Sequence, residues 1–264
     1  MTAHAPLPER RITMALDRPG APVLAVPVPL PAGSASIVDI LPAVRAVADA
    51  LQDEAYRTVA EMGRPVTCGR GCDTCCNHLV MLGDAEALAL LRTLRALPDR
   101  QRERVTGRFR AGLDRLEAAG LMPDLYAAFT RKPRDFHRLT ELQAAYWELA
   151  IPCPFLDDGA CGVYAERPLI CRQYAMTTPP AACRTPFGPG VALVKVLPPI
   201  DLAGAAATFD GQRVHASRVQ PLLLCLLREA ILSQRLFPVL EPEPMLVRFL
   251  EFAAEHYARK EQHS

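Results

Sequence analysis

"CGRGCDTCC", Cys68 to Cys76, places four of the chain's nine cysteines in one short stretch. The amino terminus, MTAHAPLPERR, lacks the basic start and apolar run of a secretory signal, which predicts a cytoplasmic, reducing location. In such a compartment clustered cysteines serve as metal ligands or redox centres more often than as structural disulfides. An odd number of cysteines also argues against a complete disulfide framework. At helical spacing Cys68, Cys72 and one of Cys75 or Cys76 share a face, with Cβ atoms roughly 5–6 Å apart, so that two sulfurs reach one ion at about 2.3 Å. Helical neighbours differ by roughly 100° in direction, so Cys75 and Cys76 point to two ions, or to two corners of one site.

A second set, Cys153, Cys161, Cys171 and Cys183, is spaced too widely to form a centre by local geometry. Brought against the first, it supplies the missing corners. Four plus four thiols suit two four-cysteine sites, or one iron–sulfur cluster (a 4Fe-4S cluster among the options) with further thiols beside it. Zinc and iron both accept all-sulfur ligation. Thiolates leave a zinc site negatively charged, and Arg70, Arg172 and Arg184, with the N–H groups of the Gly69–Gly71 turn, are candidates to offset that charge. Cys225, flanked by leucines in PLLLCLL, reads as core. His78 follows the cluster closely enough to be a candidate ligand, though an isolated histidine after a turn is more often polar surface.

Working outward, the chain of 264 residues is half apolar with a net charge of +1. No apolar run approaches the roughly 18–20 residues that cross a bilayer. The expectation is a soluble, mainly α protein: an irregular helical domain organised around a cysteine-ligated metal centre, with a small β element from the N-terminal arm and residues 190–198. Residues 1–36 read as an arm or hairpin, with RITMAL and APVLAVPV as strands around DRPG. Residues 37–200 form the cysteine-cluster domain with a helical insert at about 84–150, and 201–264 contribute C-terminal helices packed on it.

Apolar residues recurring every three or four positions predict a helix from Asp39 to Met62. Asp84 is expected to cap the next, through Leu97, and Pro98 and Asp99 to open another that stops at Gly120. Shorter helices are predicted at PDLYAAFT and DFHRLTELQAAYWELA, a tight turn at LDDGAC, and a short helix at ERPLICRQY with Pro168 in its first turn. GVALVKVLPP reads as a strand able to pair with the N-terminal hairpin. HASRVQPLLLCLLREAILSQ and PMLVRFLEFAAEHYARK read as two closing helices.

Other chemistries find little support. RQRERVTGRFR carries Val105, Phe109, Leu113 and Leu116 at helical spacing, so it reads as a helix with a solvated face rather than a nucleic-acid patch. Asp157 and Asp158 belong to turn chemistry. There is no phosphate loop, HExxH or serine elbow. Cys68, Cys72 and Cys75 satisfy the spacing of radical S-adenosylmethionine enzymes, but Cys76 follows at once, Thr74 replaces the common aromatic, and no partial barrel of strands and helices is present.

The two cysteine stretches together resemble the YkgJ-like cysteine-cluster family, described as zinc- or iron-chelating domains with a CxxCxxCC signature. Cys68, Cys72, Cys75 and Cys76 resemble that signature with one extra residue in the first gap. CPFLDDGACGVYAERPLICRQY, Cys153–Tyr174, resembles the family's CPFL, CxxY and RPxxCR sequence, and Cys183 resembles a further cysteine of some members. Tyr164, Arg167 and Arg172 belong to this motif: one reading makes them a polar patch near the metal, the other, favoured here, makes Tyr164 and Arg167 braces of the short helix. The resemblance covers about Cys68 to Cys183 and implies binding of zinc or iron. Flagellin lysine N-methylases have a similar cysteine pattern, which implies an iron–sulfur-dependent protein lysine N-methylase or redox enzyme as one alternative. Metal storage or delivery is another. A protein substrate or partner is the expected kind of partner, with no nucleic acid and no membrane.

Overall fold

The longest helix, α1 (Ile37–Glu61), starts at a reciprocal cap: Asp39 accepts from the Ser36 N–H at 2.9 Å while Ser36 caps the helix in return. The buried face of α1 carries Ile37, Ile40, Leu41, Val44, Val47 and Leu51, the recurrence read from the sequence, begun two residues earlier. Across this face lies the antiparallel hairpin of β1 (Glu9–Ala15) and β2 (Val23–Pro29). Strict alternation along β2 buries Leu24, Val26 and Val28 against α1 and leaves the residues between exposed. The DRPG turn lies outside the described residues. The computed structural model describes residues 8–16, 23–69, 71–130, 135–215 and 219–259.

Two apolar cores share one wall. That wall is α2 (Asp84–Ala96), which follows the short strand β3 (Met81–Gly83). Its Ala85 and Leu88 join the first core, with α1, the hairpin and Met245, Leu246 and Phe249 of the last helix. Its Ala87, Leu90, Leu91 and Leu94 face the second core. There they meet Val105, Phe109 and Leu116 of α3 (Asp99–Ala118), Leu125 of α4 (Met122–Thr130), and Leu142 and Tyr146 of α5 (Phe136–Glu148). The arginine-rich run is thus the outer side of a helix whose apolar side is core. Burying a leucine or phenylalanine contributes roughly 1.5–3 kcal/mol, so these faces fix where α1 and α2 deliver the chain.

Three short elements come next: the two-residue strands β4 (Leu156–Asp157) and β5 (Ala160–Cys161), and α6 (Leu169–Arg172). Asp158 (φ 47°) and Gly159 (φ 74°) make the β4–β5 connection, both left-handed, as a two-residue hairpin requires. The chain closes with α7 (Leu202–Ala206), β6 (Val219–Pro221), α8 (Glu229–Ser233) and α9 (Pro242–Tyr257). The described residues are therefore mainly α, with nine α-helices and three two-stranded sheets.

Three readings of the sequence are corrected. Residues 190–198 do not pair with the hairpin: Lys195 bridges Met176, with the Val196 N–H donating to Ala175 O at 2.8 Å. This clamps the stretch to the segment just beyond Cys171. The apolar run around Cys225 is not one helix. Val219–Pro221 pairs antiparallel with β3, a 3-10 turn covers Leu222–Leu224, and α8 begins only at Glu229. A continuous helix through Pro221 would lack a backbone donor and crowd the preceding turn, whereas the strand uses the Leu222 N–H to reach Val80 O at 2.8 Å. Finally, Asp84 is the first residue of α2 rather than its cap, and its carboxylate pairs with Arg235 at 2.7 Å.

Candidate metal centre

Both cysteine segments arrive at one place. Gly63 (φ 71°) turns the chain off the end of α1, and Thr67 then fastens it. The Thr67 N–H donates to Met176 O at 2.9 Å and its hydroxyl to Thr178 O at 2.6 Å. Cys68 is thereby laid beside the segment that follows Cys171, and the Met176 N–H donates to its sulfur. Gly71 takes φ 87°, a left-handed turn that a side chain would strain. Arg70, a candidate for charge compensation, lies outside the described residues.

Cys75 and Cys76 fall in a 3-10 turn, Thr74–Asn77, rather than an α-helix. At three residues per turn, neighbours diverge by about 120°, yet the two thiols hydrogen-bond to each other, so in this structure they do not face apart as the sequence predicted. The Cys76 carbonyl accepts the Cys153 N–H at 2.7 Å, a direct backbone bond between the segments. A second 3-10 turn, Ala182–Arg184, packs Cys183 against Thr74–Asn77.

In the second segment, burial raises the Cys153, Cys161 and Cys171 thiols, and backbone donors offset part of that for two of them. N–H groups of Phe155 and Leu156 donate to the Cys153 sulfur, and that of Val163 to the Cys161 sulfur. Such donors stabilise a thiolate over a thiol. Cys171 sits in α6, whose start is tied down by buried Glu86, which accepts the Leu169 N–H at 2.8 Å.

The thiols sense one another in two groups that meet at Cys75. Cys183 is raised by burial, then by Cys68, Cys72 and Cys75. On the other side, Cys171 is pushed well up by burial, then by Cys153, Cys75 and Cys161. Cys153 is pushed up to about 12, chiefly by burial. Cys75 itself is raised most by its hydrogen bond with the Cys76 thiol, and next by burial. All eight clustered thiols are free of disulfides, and among the described residues no three histidine, cysteine, aspartate or glutamate side chains enclose a point at ion-binding spacing. The backbone brings the two segments together through the bonds of Thr67 to Met176 and of Cys153 to Cys76.

One imidazole, His78, stands beside the cluster. Its ring lies against Trp147 with centroids 4.8 Å apart, and its Nε2 is 3.1 Å from the Tyr174 hydroxyl. Burial, then Lys195, holds its pKa down to about 4. It is half-buried packing rather than the polar surface read from sequence. That aromatic group, with Tyr174 and Phe187, escaped the sequence reading because its members come from four separate stretches; the Tyr174 of CRQY was its one local signal.

Arg172 is 5 % exposed and fully engaged, pairing with Asp49 of α1 and donating to the carbonyls of Arg167, Ala165 and Tyr164. It is a brace, where the sequence offers it as a candidate to offset the charge of the metal site. Arg167 stacks 4.3 Å over the Tyr164 ring. Cys225, 1 % exposed, is core. Asp157 pairs with Arg108 at 2.9 Å beside the turn.

Two cysteine-bearing segments thus converge, joined by the backbone bond from Cys153 to Cys76. Residues 67–186 match the CxxCxxCC family model, described as a "Putative zinc- or iron-chelating domain". The match begins one residue before Cys68 and ends three after Cys183, so it encloses both segments and the helices between them. Searches of curated proteins and of solved structures gave no match. No helix among the described residues is long and apolar enough to cross a membrane.

Proposed function

We propose that this chain binds zinc or iron through thiolates at the junction of its two cysteine segments, and that the metal locks those segments together. Cys68, Cys72 and Cys183 serve one side, Cys153, Cys161 and Cys171 the other, and Cys75 and Cys76 stand between them. The observation that carries this reading is the backbone bond from Cys153 to Cys76, with N–H donors aimed at sulfurs on both sides of it. An all-sulfur set suits zinc or an iron–sulfur cluster and disfavours magnesium or calcium, which take oxygen. When bound, such a metal supplies crosslinking energy, about 10–16 kcal/mol for a structural zinc, or electron transfer if it is an iron–sulfur cluster.

One observation favours storage or delivery as a second reading. Cys68 is exposed, so one thiolate is open to exchange with a partner's ligands. The test is anaerobic purification followed by metal and acid-labile sulfide analysis with a visible spectrum. Colour with sulfide assigns an iron–sulfur cluster; a colourless protein with stoichiometric zinc removes the methylase and redox alternatives. A chain that retains neither metal overturns the proposal.

A further inference from the structure

Resting on that metal-binding reading, we propose that Glu86 is the positioning residue of Cys171: its carboxylate, carried by α2, fixes the first residue of α6 and so the place where that thiolate meets the metal. Glu86 stands in the first turn of α2 and is 3 % exposed, in a helix whose neighbouring Ala85, Ala87 and Leu88 are core. Its Oε1 accepts the Leu169 N–H at 2.8 Å. Cys171 follows two residues later on the same short turn of helix.

A helix of four residues has too few internal hydrogen bonds to hold its own shape. Other cysteines lie in segments with backbone ties of their own: Thr67 fastens the chain at Cys68, Cys153 is bonded to Cys76, and Cys161 lies in the β4–β5 hairpin. For α6 the tie comes from a side chain. Among the described residues, the Leu169–Glu86 bond is the one hydrogen bond that joins the α6 backbone to another element. The Leu169 side chain, fully buried in the first core, and the Arg172 guanidinium hold α6 from its flanks. The bond to Glu86 acts on the backbone itself, and a ligand is useful only within roughly 0.5 Å of its productive place.

Taking a carboxylate out of water is unfavourable unless it is paired and hydrogen-bonded, so a glutamate in an apolar wall needs a reason. Neutralising a buried cation is the competing one. Arg45 of α1 and Arg172 are the cations that face Glu86, and they make its charge tolerable. Among the described residues, however, neither takes its hydrogen bond. Arg172 is engaged with Asp49 and with the carbonyls ahead of α6, and the Arg45 Nε is buried with no partner. The bond goes to the Leu169 N–H instead. Reach is therefore what this glutamate contributes, and an aspartate, one methylene shorter, lacks it.

The test compares the full chain with Glu86→Asp, which keeps the charge and withdraws the acceptor, and Glu86→Gln, which keeps the reach and removes the charge. Zinc affinity is measured against a chromophoric chelator, with and without Cys171→Ser in each chain, and alkylation of Cys171 in the metal-free proteins is followed by mass spectrometry. Glu86→Asp is expected to lower the affinity about 10–100-fold, the loss found when outer supports of a metal ligand are removed, and to speed alkylation of Cys171. Glu86→Gln should stay close to the unaltered chain in both. With Cys171→Ser present, the loss from Glu86→Asp should vanish, because positioning acts through that sulfur alone. Unchanged affinity in Glu86→Asp overturns the proposal, and so does a loss in Glu86→Gln as large as in Glu86→Asp, which would make Glu86 a counter-ion only. A full further loss in the presence of Cys171→Ser also overturns it, as the mark of a general structural role. Should circular dichroism show Glu86→Asp unfolded, Glu86→Gln decides: affinity and alkylation near those of the unaltered chain are expected, and a loss of affinity overturns the proposal. Failure of the unaltered chain to bind zinc or iron is a separate outcome that removes the metal-binding reading, and the alkylation rates then still show whether Glu86 holds Cys171 in place.

Discussion

Replacing Arg172 by alanine tests whether the second cysteine segment is held in place by one buried guanidinium. The side chain is 5 % exposed, and it joins α1, through Asp49, to three carbonyls of the Tyr164–Arg167 turn just ahead of α6. Hydrogen bonds to a charged group contribute roughly 1.5–3 kcal/mol each, though they are not additive. The Asp49 end is half-exposed, so that part counts little. Loss of three carbonyl contacts from a buried charge therefore comes to about 3–5 kcal/mol, the scale for breaking a buried ionic network. For a chain of this size each kcal/mol moves the melting temperature by about 2–4 °C, so a fall of about 6–20 °C follows. Urea denaturation of the metal-free protein measures it, through the midpoint at constant slope. Arg172→Lys should recover less than half, since one ammonium cannot serve three divergent carbonyls. A loss below about 1 kcal/mol in Arg172→Ala would refute the reasoning, because that is the range of a surface ion pair.

Further outcomes follow from other parts of the fold. Gly83→Ala should destabilise by about 1–3 kcal/mol or more in urea melts, since a Cβ there would stand 2.9 Å from the Ala207 Cα, which is backbone and cannot swing aside. Phe249→Ala, at a fully buried position of the first core, should cost about 3–5 kcal/mol. Cys225→Ala should leave metal content unchanged, whereas serine at Cys75 or Cys153 should lower it, as read by metal analysis of the purified variants. The metal-free protein should also lose stability in alkali. The Cys153 thiol is raised from 9 to about 12 by folding, so its contribution is complete below pH 9 and is lost as the pH climbs from 9 towards 12, where the unfolded chain ionises first. Urea midpoints taken across that window measure the loss, and Cys153→Val should reduce its slope.

Most helices were legible because their burial is periodic. In α1 and α3 one apolar stripe faces one core, and the stops at Gly63 and Gly120 are local signals. The stretch around Leu222–Leu224 was not legible, since a continuous apolar run buried on all sides looks alike as strand, 3-10 turn or helix. Residues 190–198 form no strand, only an isolated bridge from Lys195 to Met176, and that neighbour depends on where α1 and the Cys171 segment meet. At the site, the eight cysteines stood out by spacing alone. What the spacing could not reveal was non-local: the Cys153–Cys76 backbone bond, the fastening of Thr67 to Thr178, and the hold of Arg172 on Asp49 and the carbonyls ahead of α6.

The central claim is that neither cysteine segment is a metal site by itself. Metal content of a chain in which Cys153, Cys161 and Cys171 are all replaced by serine tests it most directly, because CGRGCDTCC is left intact. The account predicts that bound zinc or iron per chain falls below that of the unaltered protein. Retention of the full stoichiometry by Cys68–Cys76 would contradict it.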